Sequence, residues 1–151
     1  MKNHRISNET ISEVVDYLAT QLSKSGVKYD YVVGVGRGGL IPATMFAYKL
    51  HVPILSYSLK SYDGQEQAKS GDECFYQTVE FDRLLGKDLN ILVVDDICDS
   101  GNTFELIKGI DKPNVNIETY LAIFAKKSSI SIPDYIGLIS EENIWLNFPW
   151  E

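Results

Sequence analysis

Three carboxylates and two hydroxyls crowd one short stretch: Asp95, Asp96, Asp99, Ser100 and Thr103. The apolar run Ile91-Leu92-Val93-Val94 precedes them and reads as a buried strand, so Asp95 and Asp96 sit at its tip. Adjacent carboxylates accept hydrogen bonds from a diol or hold a hydrated Mg²⁺. The turn Ser100-Gly101-Asn102-Thr103 then opens a helix. Its free backbone N–H groups and hydroxyls suit a phosphate monoester. A site that grips both a diol and a phosphate points to a ribose 5-phosphate. An ordinary capped turn accounts for Asp99-Ser100-Gly101 alone. It does not account for two further acids at the end of a buried strand.

A second candidate is Gly36-Arg37-Gly38-Gly39, which follows the strand Tyr31–Val35. Three glycines permit backbone shapes that other residues resist, and an Arg among them makes an anion site. The alternative is a solvated charge beside a flexible turn. Cys98 lies in the phosphate turn, where a helix end lowers a thiol pKa. Its simpler reading is a small, semi-apolar filler. His4 and His51 are too few and too far apart for a zinc site.

The elements that must position these groups follow from periodicity. Thr10-Ile11-Ser12-Glu13 fits a capping box. Ile11, Val14, Val15, Leu18 and Leu22 recur at helical spacing, and Gly26 is a stop. Leu40 to Leu50 is a second helix, with Pro42 in its first turn. Pro53 to Leu59, Asn90 to Val94, Val115 to Phe124 and Tyr135 to Ile139 read as strands, and Phe104 to about Gly109 as a helix. The polar stretch 61–78 reads as a long loop or short hairpin. Strands alternating with helices predict a doubly wound, mainly parallel α/β sheet flanked by helices. Ligands of such sheets bind beyond the carboxyl ends of the strands, where both glycine-bearing turns fall.

Composition sets the limits. The 151 residues, 44% of them apolar, suit a single domain over 1–151. A net charge of −7 and no clustered Lys/Arg stretch argue against a nucleic-acid partner. No apolar run approaches the ~20 residues that span a bilayer, and no signal peptide opens the chain. Two cysteines make no disulfide framework, so a cytoplasmic location is expected.

The segment Ile91–Thr103 resembles the phosphoribosyl-diphosphate motif of type I phosphoribosyltransferases: an apolar strand, two acids, two variable residues, an acid, Ser, Gly, any residue, Thr. Val33-Gly34-Val35-Gly36-Arg37-Gly38-Gly39-Leu40-Ile41-Pro42 is similar to the diphosphate loop of the purine branch. Ser61-Tyr62-Asp63 resembles the start of that branch's mobile catalytic loop. Ile123-Phe124-Ala125-Lys126 and Trp145-Leu146-Asn147-Phe148-Pro149-Trp150 resemble the base pocket of the bacterial xanthine-guanine enzymes. The resemblance implies the type I fold with a small C-terminal base-binding hood.

It also implies an activity: transfer of the 5-phosphoribosyl group from phosphoribosyl diphosphate to guanine, xanthine or hypoxanthine in purine salvage, with Mg²⁺. Asp95 and Asp96 would hold the ribose hydroxyls and metal, and Asp99 would assist proton removal from the base. Ser100, Gly101, Asn102 and Thr103 would cradle the 5-phosphate. Arg37 and Gly38 would face the diphosphate, beside a Gly36–Arg37 bond that is often cis in the family. Lys126 would donate to the 6-oxygen, Trp145 would stack on the base, and the Leu146 carbonyl would accept from a 2-amino group. Ser61 and Tyr62 would close over the site. Glu151 stands where an Asp often binds a second Mg²⁺, and Asn147 where those enzymes carry an acid. Gly36 replaces a usual Ser, and Ser100 and Asn102 a usual Thr and Gly. A homodimer or homotetramer is implied. Two other readings are a non-catalytic, nucleotide-sensing regulator of the same fold and a transferase for a different base.

Overall fold

The computed structural model describes residues 1–60, 74–76 and 81–151. Its first helix, α1 (Asn8–Lys24), buries Ile11, Val14, Val15, Leu18 and Leu22, as their spacing predicts. Its start corrects the expected Thr10–Glu13 box. Ser7 is the cap, and its Oγ accepts from the Thr10 N–H at 3.0 Å. The Ser7 hydroxyl also donates to Thr10 Oγ1 at 3.0 Å, so an equally good capping residue one turn earlier lengthens the helix. Past Ser25, Gly26 takes φ +74°, the left-handed exit that favours glycine.

Then come β2 (Tyr31–Gly36), α2 (Leu40–Leu50), β3 (Ile54–Lys60) and the short β4 (Cys74–Tyr76), after a first strand β1 (Lys2–Arg5). The second half holds β5 (Leu89–Cys98), α3 (Asn102–Lys108), β6 (Val115–Lys126), β7 (Tyr135–Ser140) and β8 (Ile144–Asn147). One sheet has six strands in the order β4-β3-β2-β5-β6-β7. Every pair is parallel except β3 with β4. Of the stretch 61–78, expected as a long loop or short hairpin, only β4 is described; the rest lies outside the described residues.

Successive strand residues face opposite layers. Val32, Leu92, Val94, Leu121 and Ile123 pack toward α1 and α2 with Leu18 and Phe46. Val33, Ile91, Val93, Tyr120 and Ala122 pack toward Phe104 and Ile107 of α3. Each large side chain fully withdrawn from water contributes roughly 1.5–3 kcal/mol. Helices on both faces make the sheet doubly wound.

The chain runs outward from β2 to β3, then returns to lay β5 on the other side of β2. This reversal opens a crevice at the carboxyl ends of β2 and β5. Pairing of β2 with β5 stops at Gly34–Val94, but β5 stays paired with β6 as far as Cys98–Ala125. The strand therefore extends beyond the expected Asn90–Val94, because β6 supplies partners after the apolar run has ended. Asp95 and Asp96 lie within it, beyond the last residue that β2 pairs.

A separate two-stranded sheet pairs β1 with β8 in parallel, Lys2 with Ile144 through Arg5 with Asn147. The expected small C-terminal hood is shared with the first residues, which form half of this sheet. Lys2-Asn3-His4-Arg5 are all exposed and show no apolar alternation, so nothing in their pattern marks a strand. Among the described residues, no helix is long and apolar enough to cross a membrane.

Candidate active site

The two turns at the crevice touch through glycine. A Cβ on Gly38 would lie 2.0 Å from Asp96 Oδ2. One on Gly39 would lie 2.6 Å from the Val35 carbonyl and 2.7 Å from that of Val94. The Arg37 turn can close onto the strand tip only because these positions carry no side chain. The Gly36–Arg37 peptide is cis, as in the resembled family, and Arg37 is exposed beside it.

Asp95 Oδ1 accepts from the Asp96 N–H at 2.9 Å, and Asp96 Oδ1 from the Ile97 N–H at 2.8 Å. Burial, reinforced by the neighbouring charge of Asp96, holds the Asp95 carboxyl well above the usual carboxylate range. Burial also raises Asp96, and the charge of Glu151 adds to the rise. Two crowded acids that are reluctant to ionise form a donor set that a hard divalent cation or sugar hydroxyls would relieve. No cluster of three or more metal-ligating side chains occurs among the described residues. The pair fits a Mg²⁺ that keeps most of its ligands from water and substrate oxygens.

Two cavities flank the acids. The smaller, about 80 Å³, is lined by Asp95, Cys98, Asp99, Ser100, Gly101 and Thr103 among others. That is roughly the room of two or three waters, the scale of a phosphate group. Gly101 has φ +86° and opens α3, with Ile132 packed against the space a Cβ would need. This turn starts the helix at Asn102, two residues before the expected Phe104. The Ser100 hydroxyl accepts from the Asn102 N–H at 3.3 Å.

The larger cavity, about 330 Å³, brings together Asp96, Asp99, Lys126, Trp145, Leu146 and Glu151. Asp99 lines both cavities, as does Ile97. Met1, Glu142 and Ile144 also line the larger one, which the sequence did not indicate, since the strand carrying Met1's neighbours was invisible there. Lys126 is 5% exposed, unlike Lys127, which is exposed and pairs with Glu141. Its ammonium donates to the carbonyls of Ile144 and Glu141 and to Ser140 Oγ. Trp145 is 54% exposed, a free aromatic face over the cavity. Trp150 instead stacks on Phe148, with ring centres 5.1 Å apart. Glu151 Oε2 accepts from the Phe148 N–H at 3.3 Å. Cys98 is buried in the turn, and burial pushes its thiol pKa up, so it is a filler and not an activated thiol. Ser61 and Tyr62 lie outside the described residues.

Comparison with known proteins agrees with this geometry. Residues 6–150 match the family model described as the phosphoribosyl transferase domain. A xanthine-guanine phosphoribosyltransferase of Cereibacter sphaeroides is 36% identical over 122 residues, 80% of this chain and 68% of that protein. The crystal structure of a purine phosphoribosyltransferase from Pyrococcus horikoshii superposes with a TM-score of 0.80 at 29% identity, covering 100% of this chain and 95% of the other. A hypothetical protein from Neisseria gonorrhoeae with bound ppGpp superposes with a TM-score of 0.79 at 28% identity, covering 99% and 89%. With its acids between a phosphate-sized turn and an apolar pocket, the chain belongs to the phosphoribosyltransferase family.

Proposed function

We propose that this chain is a purine phosphoribosyltransferase of nucleotide salvage, joining an oxopurine to phosphoribosyl diphosphate and releasing diphosphate. One observation carries the reading: Asp99 joins a phosphate-sized cradle to a base-sized cavity. In this reading Ser100, Gly101, Asn102 and Thr103 hold the 5-phosphate, and Asp95 and Asp96 hold the ribose hydroxyls. Arg37 and Gly38 face the diphosphate. The base lies in the larger cavity, stacked on Trp145, with its 6-oxygen toward Lys126 and a 2-amino group toward the Leu146 carbonyl.

As the bond from the anomeric carbon to diphosphate oxygen breaks, the sugar gains positive charge. Fixed carboxylates beside it stabilise that charge without reorganising. The imidazole nitrogen of the base bonds to the anomeric carbon, and its proton passes to Asp99. Asp95 and Asp96 are the residues that would hold Mg²⁺, with Glu151 beside Asp96. When bound, the ion supplies charge that offsets the leaving diphosphate. The same reading takes 1–151 as a single domain of a cytoplasmic homodimer or homotetramer, the assembly the family resemblance implies.

The test is incubation with phosphoribosyl diphosphate, Mg²⁺ and each of guanine, xanthine, hypoxanthine and adenine. Nucleotide should form from at least one oxopurine; product from none refutes the reading. A second reading, a nucleotide-binding regulator without turnover, is favoured by the ppGpp bound to the Neisseria relative. Tight ppGpp binding together with no turnover on any base would select it.

A further inference from the structure

An ammonium group has three hydrogens and no more. Those of Lys126 already have three acceptors inside the protein: the Ile144 carbonyl, the Glu141 carbonyl at 2.9 Å and Ser140 Oγ at 3.4 Å. The Ser140 hydroxyl donates to the Glu141 carbonyl at 3.2 Å, which leaves its lone pairs facing the ammonium. Lys126 and Ser140 are both buried, and Lys126 also lines the larger cavity. A purine 6-oxygen therefore receives a hydrogen from Lys126 only by displacing one of the three. The Glu141 carbonyl lies in the turn between β7 and β8 and the Ile144 carbonyl opens β8 itself, so releasing either would move the strand that carries Trp145. The serine contact, at 3.4 Å, is longer than that to Glu141, and a hydroxyl turns away by side-chain rotation alone.

We infer that Ser140 is a positioning residue for base recognition, a built-in competitor that holds the third hydrogen of Lys126 until an oxopurine takes it. The inference rests on the proposed contact between Lys126 and the 6-oxygen. Removing the competitor tightens oxopurine binding, the reverse of what loss of a merely structural hydroxyl does. The gain is specific to ligands with an acceptor at that position.

The experiment is calorimetry of inosine monophosphate and adenosine monophosphate against wild type, Ser140→Ala, Ser140→Thr and Lys126→Ala. Ser140→Ala should lower Kd for inosine monophosphate by roughly 2- to 10-fold, the worth of one hydrogen bond. Its Kd for adenosine monophosphate should not change. Ser140→Thr keeps the hydroxyl and should match wild type, which also guards against misfolding of the alanine variant. Unchanged or weaker inosine monophosphate binding by Ser140→Ala, with binding by Lys126→Ala impaired, overturns the inference and leaves the Lys126 contact standing. Unchanged binding by Lys126→Ala removes both.

Discussion

Asp99 is exposed, reaches both cavities and makes none of the backbone contacts that tie down Asp95 and Asp96. Its proposed task is to receive a proton, which an amide cannot do. Asp99→Asn should therefore lower kcat by ~10²-fold or more with the fold intact. Steady-state kinetics with a good oxopurine decide the matter, and unchanged kcat takes Asp99 out of proton transfer. The Asp95–Asp96–Asp99 spacing was legible because acids at the end of an apolar run have few structural uses. Lys126 was not legible in the same way. A Lys-Lys pair after a strand reads equally as solvated surface, and only the β7–β8 turn, brought over it by the fold, buries the first and leaves the second exposed.

At the scale of elements, the turn between β2 and α2 separates function from stability between two neighbouring glycines. A methyl group on Gly38 meets the Asp96 carboxylate, whereas one on Gly39 meets the backbone carbonyls of Val35 and Val94. A short side chain can rotate aside; strand backbone cannot. Gly38→Ala should cut kcat/KM by ~10²-fold through a displaced carboxylate while Tm moves little. Gly39→Ala should lower Tm markedly. Thermal melts and kinetics on the pair check this, and equal Tm losses would contradict it. The helices and the central strands followed from local pattern, since apolar periodicity and glycine or proline punctuation lie in adjacent residues. The hood did not, because β1 is four exposed polar residues and gains its structure only from β8. The length of β5 was hidden for a related reason: its partner, not its own composition, carries it past Val94.

For the molecule as a whole, the crowding of two buried acids sets a pH dependence of stability. Burial and mutual charge raise Asp95 and Asp96 in the folded chain. The folded state then holds more protons than the unfolded state between the usual carboxylate range and those raised values. Through that window stability falls as pH rises. Asp95→Asn removes the charge, and its amide oxygen can still accept from the Asp96 N–H. Without ligands this variant should melt higher than wild type at pH 7, by a margin that shrinks toward pH 4, while losing activity. Calorimetric melts across that range test it; a Tm at or below wild type at pH 7 sinks the idea.

The parallel pairing of β1 with β8 also dictates an order of assembly. In the proposed reading the sugar-phosphate half of the crevice is made by β2, α2, β5 and α3, with β6 holding the end of β5, and all of these are synthesised before β7 and β8. The base half waits until residues 144–147 have left the ribosome and found residues 2–5. In that reading, the residues meant for the activated sugar are thus made before those that complete the nucleobase pocket.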